Sequence, residues 1–219
     1  QFHVHAVCKK KGNGVLVYDV LPPGDRRICG AAIDIGTTTV SAVILDLETG
    51  ELLAKASAGN GQIRYGADVI NRIIESIKEG GREKLQKAII QETINPMIDH
   101  MCRSAKIQGS RIYHMCIAAN TTMNHLFAGV NADPLRMEPY IPAFFETDNL
   151  HAGDLGIHVH QDAKIVIAPN IGSYVGGDIT AGTLVSMIWN KPEFNLFIDL
   201  GTNGEIVFGN SDFMMSCAC

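Results

Sequence analysis

The chain has 219 residues, 46% of them hydrophobic and 19% charged, with a formal net charge of −5. This composition belongs to a globular chain with a sizeable core and excludes a disordered one. The mildly acidic balance, without a long basic run, argues against gripping nucleic acid, and no stretch reaches the ~18 uninterrupted apolar residues of a membrane span.

Residues 2–8 alternate, with Phe2, Val4 and Ala6 on one face, and Gly12-Asn13-Gly14 leads into a strand over Val15–Val20. This predicts a β-hairpin. Leu21-Pro22-Pro23-Gly24-Asp25 breaks regular structure and places a linker at about residues 21–28. Three strands follow: Ala31–Ile35, Thr39–Leu47 and Glu51–Ala58. Tight turns join them into an antiparallel meander.

The period then changes. Ala67, Ile70, Ile73, Ile74 and Ile77 fall at helical spacing and predict one apolar stripe, ended by Gly80-Gly81. A second helical run carries Leu85, Ala88, Ile89, Ile94, Met97, Met101 and Cys102. Pro96 should kink or split it, because an interior proline costs ~3 kcal/mol.

Ile112–Ala118 reads as a strand, and Asn120-Thr121-Thr122 can cap a short helix to Phe127. Asn120–Met123 could instead line a cleft; capping is the preferred role. A proline-rich loop runs to about Pro142, and Lys164–Ala168 is a short buried strand. Gly176-Gly177-Asp178 opens a helix to Trp189. Strands at Asn195–Leu200, Glu205–Gly209 and from Phe213 onward close the chain. A meander followed by alternating helices and strands predicts a mixed α/β sheet. The chain opens on Gln1 rather than a methionine and stops in an apolar, strand-like run, so we expect a fragment of a longer protein.

The six cysteines, Cys8, Cys29, Cys102, Cys116, Cys217 and Cys219, are irregularly spaced and contain no C-x-x-C. They read as reduced structural thiols of a cytoplasmic protein. Cys217 and Cys219 alternate on one strand face, expected to be a core face. His158 and His160 share a predicted strand face and, with His151, are better read as solvated loop and edge-strand histidines than as metal ligands.

Ile33-Asp34-Ile35-Gly36-Thr37-Thr38-Thr39 can be laid on Ile198-Asp199-Leu200-Gly201-Thr202-Asn203-Gly204. Both copies end one strand, turn tightly and enter the next, at the first hairpin of a meander. Glycine lets the backbone approach a phosphate, and successive turn amides form an anion nest. Thr37, Thr38, Thr39 and Thr202 add hydroxyl donors. Asp34 and Asp199 repel phosphate but can hold Mg²⁺, usually through its water shell. The alternative is a pair of ordinary turns with side-chain caps. Asp178 is read either as a helix N-cap, worth about 1 kcal/mol, or as a group that orients a water or helps hold the metal; the roles are compatible.

The paired aspartate-glycine-threonine loops resemble those of the superfamily of acetate and sugar kinases, heat-shock chaperone ATPases and actin. That resemblance implies two ribonuclease-H-like lobes clasping ATP and Mg²⁺. Asp34–Thr39 would be the first phosphate loop, Asp199–Glu205 the second, and residues 177–182 the first connecting helix, with Asp178 in its acidic position. Four runs, residues 31–40, 119–126, 169–182 and 197–205, together resemble the reductive activators of corrinoid proteins. The resemblance covers roughly residues 30–219.

It implies ATP-dependent return of a corrinoid protein of a methyltransferase system from Co(II) to Co(I). Asp34 and Asp178 would act in catalysis, and Asp34 and Asp199 would hold the metal. Gly36, Thr37, Thr38, Thr39, Gly201, Thr202, Asn203 and Gly204 would bind nucleotide. An iron–sulfur cluster is expected in the full-length protein but not in this stretch. The expected organisation is a connector hairpin over 1–29, a first ATPase lobe over 30–192 with a mixed five-stranded sheet, and the truncated start of a second lobe over 193–219. On its own, this stretch should bind ATP weakly or not at all. Exposed second-lobe strands could promote a homodimer. A small-molecule kinase of the same superfamily, or a nucleotide-switched interaction module, are the rival readings.

Overall fold

The computed structural model describes residues 3–24, 27–147 and 149–218. Phe2, Asp25 and Cys219, which entered the reading above, lie outside them. Strands β1 (His5–Lys11) and β2 (Gly14–Leu21) pair antiparallel as the expected hairpin. The hairpin is pinned to the rest of the chain by the Tyr113 hydroxyl, which donates to Asp19 at 2.9 Å.

Strands β3 (Cys29–Ile35), β4 (Thr39–Asp46) and β5 (Leu52–Gly59) form the antiparallel meander. β6 (Ile112–Ala119) joins β3 in parallel, and β8 (Lys164–Ile167) joins β6 in parallel. A two-residue strand, β7 (Leu150–His151), adds an antiparallel edge, so the order is β5-β4-β3-β6-β8-β7. This is the mixed sheet of a ribonuclease-H-like lobe, with six strands where five were expected. β7 is too short to announce itself by alternation. The four-residue helix after it, α5 (Ala152–Leu155), was missed for the same reason.

The period of two decides the faces. Ala31, Ile33 and Ile35 of β3, Val40, Ala42 and Ile44 of β4, and Ile165 and Ile167 of β8 point into one buried core. Helices α1 (Val69–Ser76), α2 (Gly81–Ile89), α3 (Asn95–Ala105) and α4 (Thr121–Ala128) supply the other side of that core, including Ile73, Leu85, Ile98, Leu126 and Phe127. Each such side chain contributes roughly 1.5–3 kcal/mol of burial. Asp34, between buried Ile33 and Ile35, is thereby turned onto the opposite, exposed face.

The long helical run splits as Pro96 required. A π-helical turn, Ile90–Ile94, lies between α2 and α3, and Pro96 falls in the first turn of α3, directly after the π turn. The Thr93 hydroxyl donates to the Ala88 carbonyl at 2.8 Å within that turn.

The stripe expected on α1 is corrected. The helix buries Arg72, Ile73 and Ser76 and leaves Ile70, Ile74 and Ile77 exposed. Its docking face carries Ile73 into the core and Arg72 onto the Gly66 and Thr37 carbonyls, while the other isoleucines stay outside.

Helix α6 (Gly177–Ser186) crosses the other face of the sheet and stops before Trp189, which falls in a 3₁₀ turn. Beyond it, β9 (Asn195–Leu200), β10 (Gly204–Gly209) and β11 (Met214–Ala218) form a second antiparallel sheet in the order β11-β10-β9. Cys217 is exposed on β11, not on a core face. Among the described cysteines Cys29 and Cys102 are buried, Cys8 and Cys116 are exposed, and all five are free thiols. His158 and His160 lie in a loop rather than a strand; the His158 ring sits 3.1 Å from Asp99. Among the described residues no helix is long and apolar enough to cross a membrane.

Candidate functional site

The two repeated hairpins meet. The β3–β4 turn, Gly36-Thr37-Thr38, and the β9–β10 turn, Gly201-Thr202-Asn203, approach until the Thr38 and Thr202 hydroxyls are 3.1 Å apart. Between them opens a cleft of about 680 Å³. Asp34, Gly36, Thr37, Thr38, Thr39, Gly201, Thr202, Asn203, Asp199 and Asp178 all line it. Gly204 does not; it opens β10 opposite Leu200.

Each carboxylate is aimed by a simple local rule. Asp34 and Asp199 each occupy the second-last residue of a strand, Asp34 on the open face of β3 and Asp199 on the more covered face of β9, in step with Phe197. Asp178 is carried by α6. That helix is capped by Gly176 and begins at Gly177, so Asp178 is its second residue rather than its N-cap. A side chain at 177 would stand 2.3 Å from the Ala168 carbonyl oxygen, so only glycine lets this end of α6 press against the end of β8. At its middle, α6 packs on β9: a Cβ at Gly182 would lie 2.4 Å from the Phe197 ring.

Charge accumulates in the cleft. Burial, then the neighbouring Asp199 and Asp34, push the Asp178 carboxyl up to about 6, against the backbone amide of Ile179, which holds it down. Loss of water and the charge of Asp199 also raise Asp34. Glu205, only 8% exposed, is raised by burial and by Asp178 and Asp199. Glu205 lines the cleft but was not singled out from the sequence; the available signal was an acidic residue at an inward position of β10, in step with buried Val207.

Asn120 does both things weighed for it. Its side chain caps α4 by accepting from the Met123 amide at 2.9 Å, and its Nδ2 donates to the Thr37 hydroxyl at 3.1 Å from the cleft wall.

The donor set suits a polyphosphate and a hard divalent cation. Mutually repelling carboxylates are relieved by a cation. Among the described residues no three metal-ligating side chains converge on one point. Mg²⁺ keeps most of its waters and takes one or two carboxylates plus phosphate oxygens, and carboxylates are the donors this cleft presents.

Two family models match the chain: "RACo middle region" over residues 29–191, and "C-terminal domain of RACo the ASKHA domain" over residues 193–219. The corrinoid activation enzyme RamQ of Eubacterium limosum is 35% identical over 213 residues, which is 94% of this chain and 35% of that protein. The [Co(II) methylated amine-specific corrinoid protein] reductase of Methanosarcina barkeri is 25% identical over 86% of this chain and 35% of its own length. The solved structure of a reductive activator for a corrinoid, iron–sulfur protein superposes with a TM-score of 0.92 and 38% identity, covering 99% of this chain and 35% of that one. The chain thus spans about a third of the length of these relatives.

Proposed function

The chain belongs to the RACo family, and from that premise we propose that it supplies the first nucleotide-binding lobe, and the opening hairpin of the second, of an ATP-dependent reductive activator of a corrinoid protein. The observation that carries this reading is the meeting of the two aspartate-bearing turns over one acidic cleft.

The two turns bind the polyphosphate from opposite sides. Gly36, Thr37, Thr38 and Thr39 approach it from one side, with the unpartnered Thr37 and Thr38 amides and the threonine hydroxyls as donors, and Thr202 and Asn203 from the other; the Gly201 amide is spent on the Asn203 carbonyl and only shapes that turn. Asp34 and Asp199 would hold Mg²⁺, which would supply the positive charge that lets phosphate oxygens sit beside these carboxylates. Asp178 receives a proton from, or orients, the attacking water at its carboxylate oxygen. A carboxyl with a pKa of about 6 is still ionised at neutral pH yet basic enough to accept that proton. Glu205 adds a further negative wall behind this water. Hydrolysis yields ADP and phosphate, and the free energy released drives one electron onto Co(II) of the partner to give Co(I).

The electron would come from an iron–sulfur cluster expected in the full-length protein. Among the described residues Cys8, Cys29, Cys116 and Cys217 lie on strands of three different sheets, and Cys102 lies on α3. We assign 1–29 as the connector hairpin, 30–192 as the first lobe and 193–219 as part of the second.

The test is to mix the full-length protein with a reduced electron donor and a Co(II) corrinoid protein and follow Co(I) by its absorbance. Co(I) should form only with Mg²⁺-ATP. Transfer of the γ-phosphate to a metabolite would point to a kinase instead. Partner release without cobalt reduction would point to a conformational switch.

A further inference from the structure

The cleft just described has an electrostatic problem. It is lined by Asp34, Asp178, Asp199 and Glu205, and by no lysine, arginine or histidine among the described residues. A polyphosphate entering it meets carboxylates and neutral donors only. Immediately behind the first turn, however, lies Arg72, fully buried and carried there by α1.

The partners of Arg72 are all neutral. Its Nη2 donates to the Thr37 carbonyl at 2.6 Å and its Nε to the Gly66 carbonyl at 2.9 Å. Its Nη1 faces the Met123 sulfur at 3.2 Å and the Gln62 side-chain oxygen at 3.5 Å. No carboxylate pairs with it among the described residues; Asp68, at the start of α1, acts on it only from a distance. Burial lowers its pKa to about 10, so it stays protonated at pH 7. A buried cation without a counter-charge is costly unless something else compensates it. A neutral amide could hold the Thr37 carbonyl equally well, but it would bring no charge.

The geometry of the turn says what the hold achieves. Three successive carbonyls are tied down from behind: Gly36 by Asn60 Nδ2 at 2.8 Å, Thr37 by Arg72, and Thr38 by the Asn60 amide at 2.8 Å. In a trans peptide the carbonyl of one residue and the amide of the next point in opposite directions. Tying the carbonyls of Gly36 and Thr37 into the protein therefore turns the Thr37 and Thr38 amides away from it. Neither amide has a hydrogen-bond partner among the described residues, and both residues line the cleft.

We propose that Arg72 is a positioning residue for polyphosphate: it fixes the first turn with its amides facing the cleft and supplies, from behind, the positive charge the cleft lining lacks. This rests on the nucleotide reading of the cleft and deepens it. The anion completes an arrangement that the protein leaves one negative charge short.

The experiment titrates the full-length protein and its Arg72→Met and Arg72→Lys variants with Mg²⁺-ATP and with inorganic triphosphate by calorimetry. Loss of a charge-assisted interaction predicts that Arg72→Met raises both Kd values by about tenfold to a hundredfold at unchanged stoichiometry. A purely structural role would instead lower the stoichiometry and leave Kd alone. Arg72→Lys restores much of the affinity at pH 7. It then loses that affinity as pH rises from about 7 to 9, because burial depresses a lysine below an arginine, while the parent, whose Arg72 is lowered only to about 10, changes little over that range.

Should Arg72→Met fail to fold, the lysine profile decides. A divergence from the parent supports the proposal, and parallel profiles overturn it. Arg72→Met with parental Kd overturns it as well. If the parent binds neither probe, the nucleotide reading itself falls; if the parent binds and the variants match it, only the role of Arg72 does.

Discussion

The Thr38 hydroxyl lies 3.1 Å from the Thr202 hydroxyl, although the two residues belong to different sheets. This exposed contact sets the separation of the two turns. It also places Asp34 and Asp199, each three or four residues before its threonine, near enough for the charge of one to raise the pKa of the other. Two local turn motifs become one site only through this pairing.

Asp34 has its side chain in the cleft and takes no part in the core. Asp34→Ala should lower Mg²⁺-ATP hydrolysis at least about a hundredfold. The melting temperature should hold or rise, because a carboxylate raised by burial and by Asp199 is removed. Unchanged turnover would remove Asp34 from the metal site.

Asp178 gives a signed pH dependence. Its pKa is raised to about 6, above the unfolded value, so the folded state holds the proton more tightly and stability falls as pH climbs from about 4 to 6. Asp178→Asn should therefore melt higher than the parent at pH 7, an advantage that vanishes near pH 4. Parent hydrolysis should decline as pH drops through about 6, and Asp178→Asn should lose turnover far more than affinity. Equal losses in the two would reduce Asp178 to a binding group.

Asn120 allows its two jobs to be separated. Asn120→Ala removes the cap of α4 and should cost about 1 kcal/mol of stability. Asn120→Asp keeps an accepting oxygen for the Met123 amide but replaces the donor to Thr37 with a negative charge on the cleft wall. It should melt near the parent while binding Mg²⁺-ATP about tenfold or more weakly. Parental affinity in Asn120→Asp would confine Asn120 to capping.

Gly177→Ala tests the approach of α6. The added methyl meets the Ala168 carbonyl oxygen at 2.3 Å, so the helix end must shift, at a cost of roughly 1–3 kcal/mol, and take Asp178 with it. Gly172→Ala is the control, since a Cβ there meets open space. Denaturant melts and hydrolysis assays on both variants should show losses in the first alone; indistinguishable variants would mean that α6 has room to spare.

Much of the fold could be read locally. The strands β3, β4, β6, β9 and β10 were placed within one or two residues because two-residue alternation and Gly-bearing turns are properties of neighbouring residues. The split at Pro96 was legible for the same reason: a proline's missing amide acts on its own helix. The α1 stripe was misread because a helix exposes several faces to choose from. Ile70, Ile74 and Ile77 satisfied the spacing, yet the face holding Arg72 was the one with carbonyl acceptors waiting beneath it. Glu205 reads from the sequence only as the end of the second loop, and Asn60 not at all, because a single polar residue carries no period.

What the sequence determined by itself was the pair of turn motifs, the strand faces that bear their aspartates, and a resemblance carried by four short runs. Their convergence was decided only by tertiary structure. Turn chemistry is written over four or five adjacent residues, whereas the distance between two turns, and the burial of a cation behind one of them, depends on how whole sheets and helices pack.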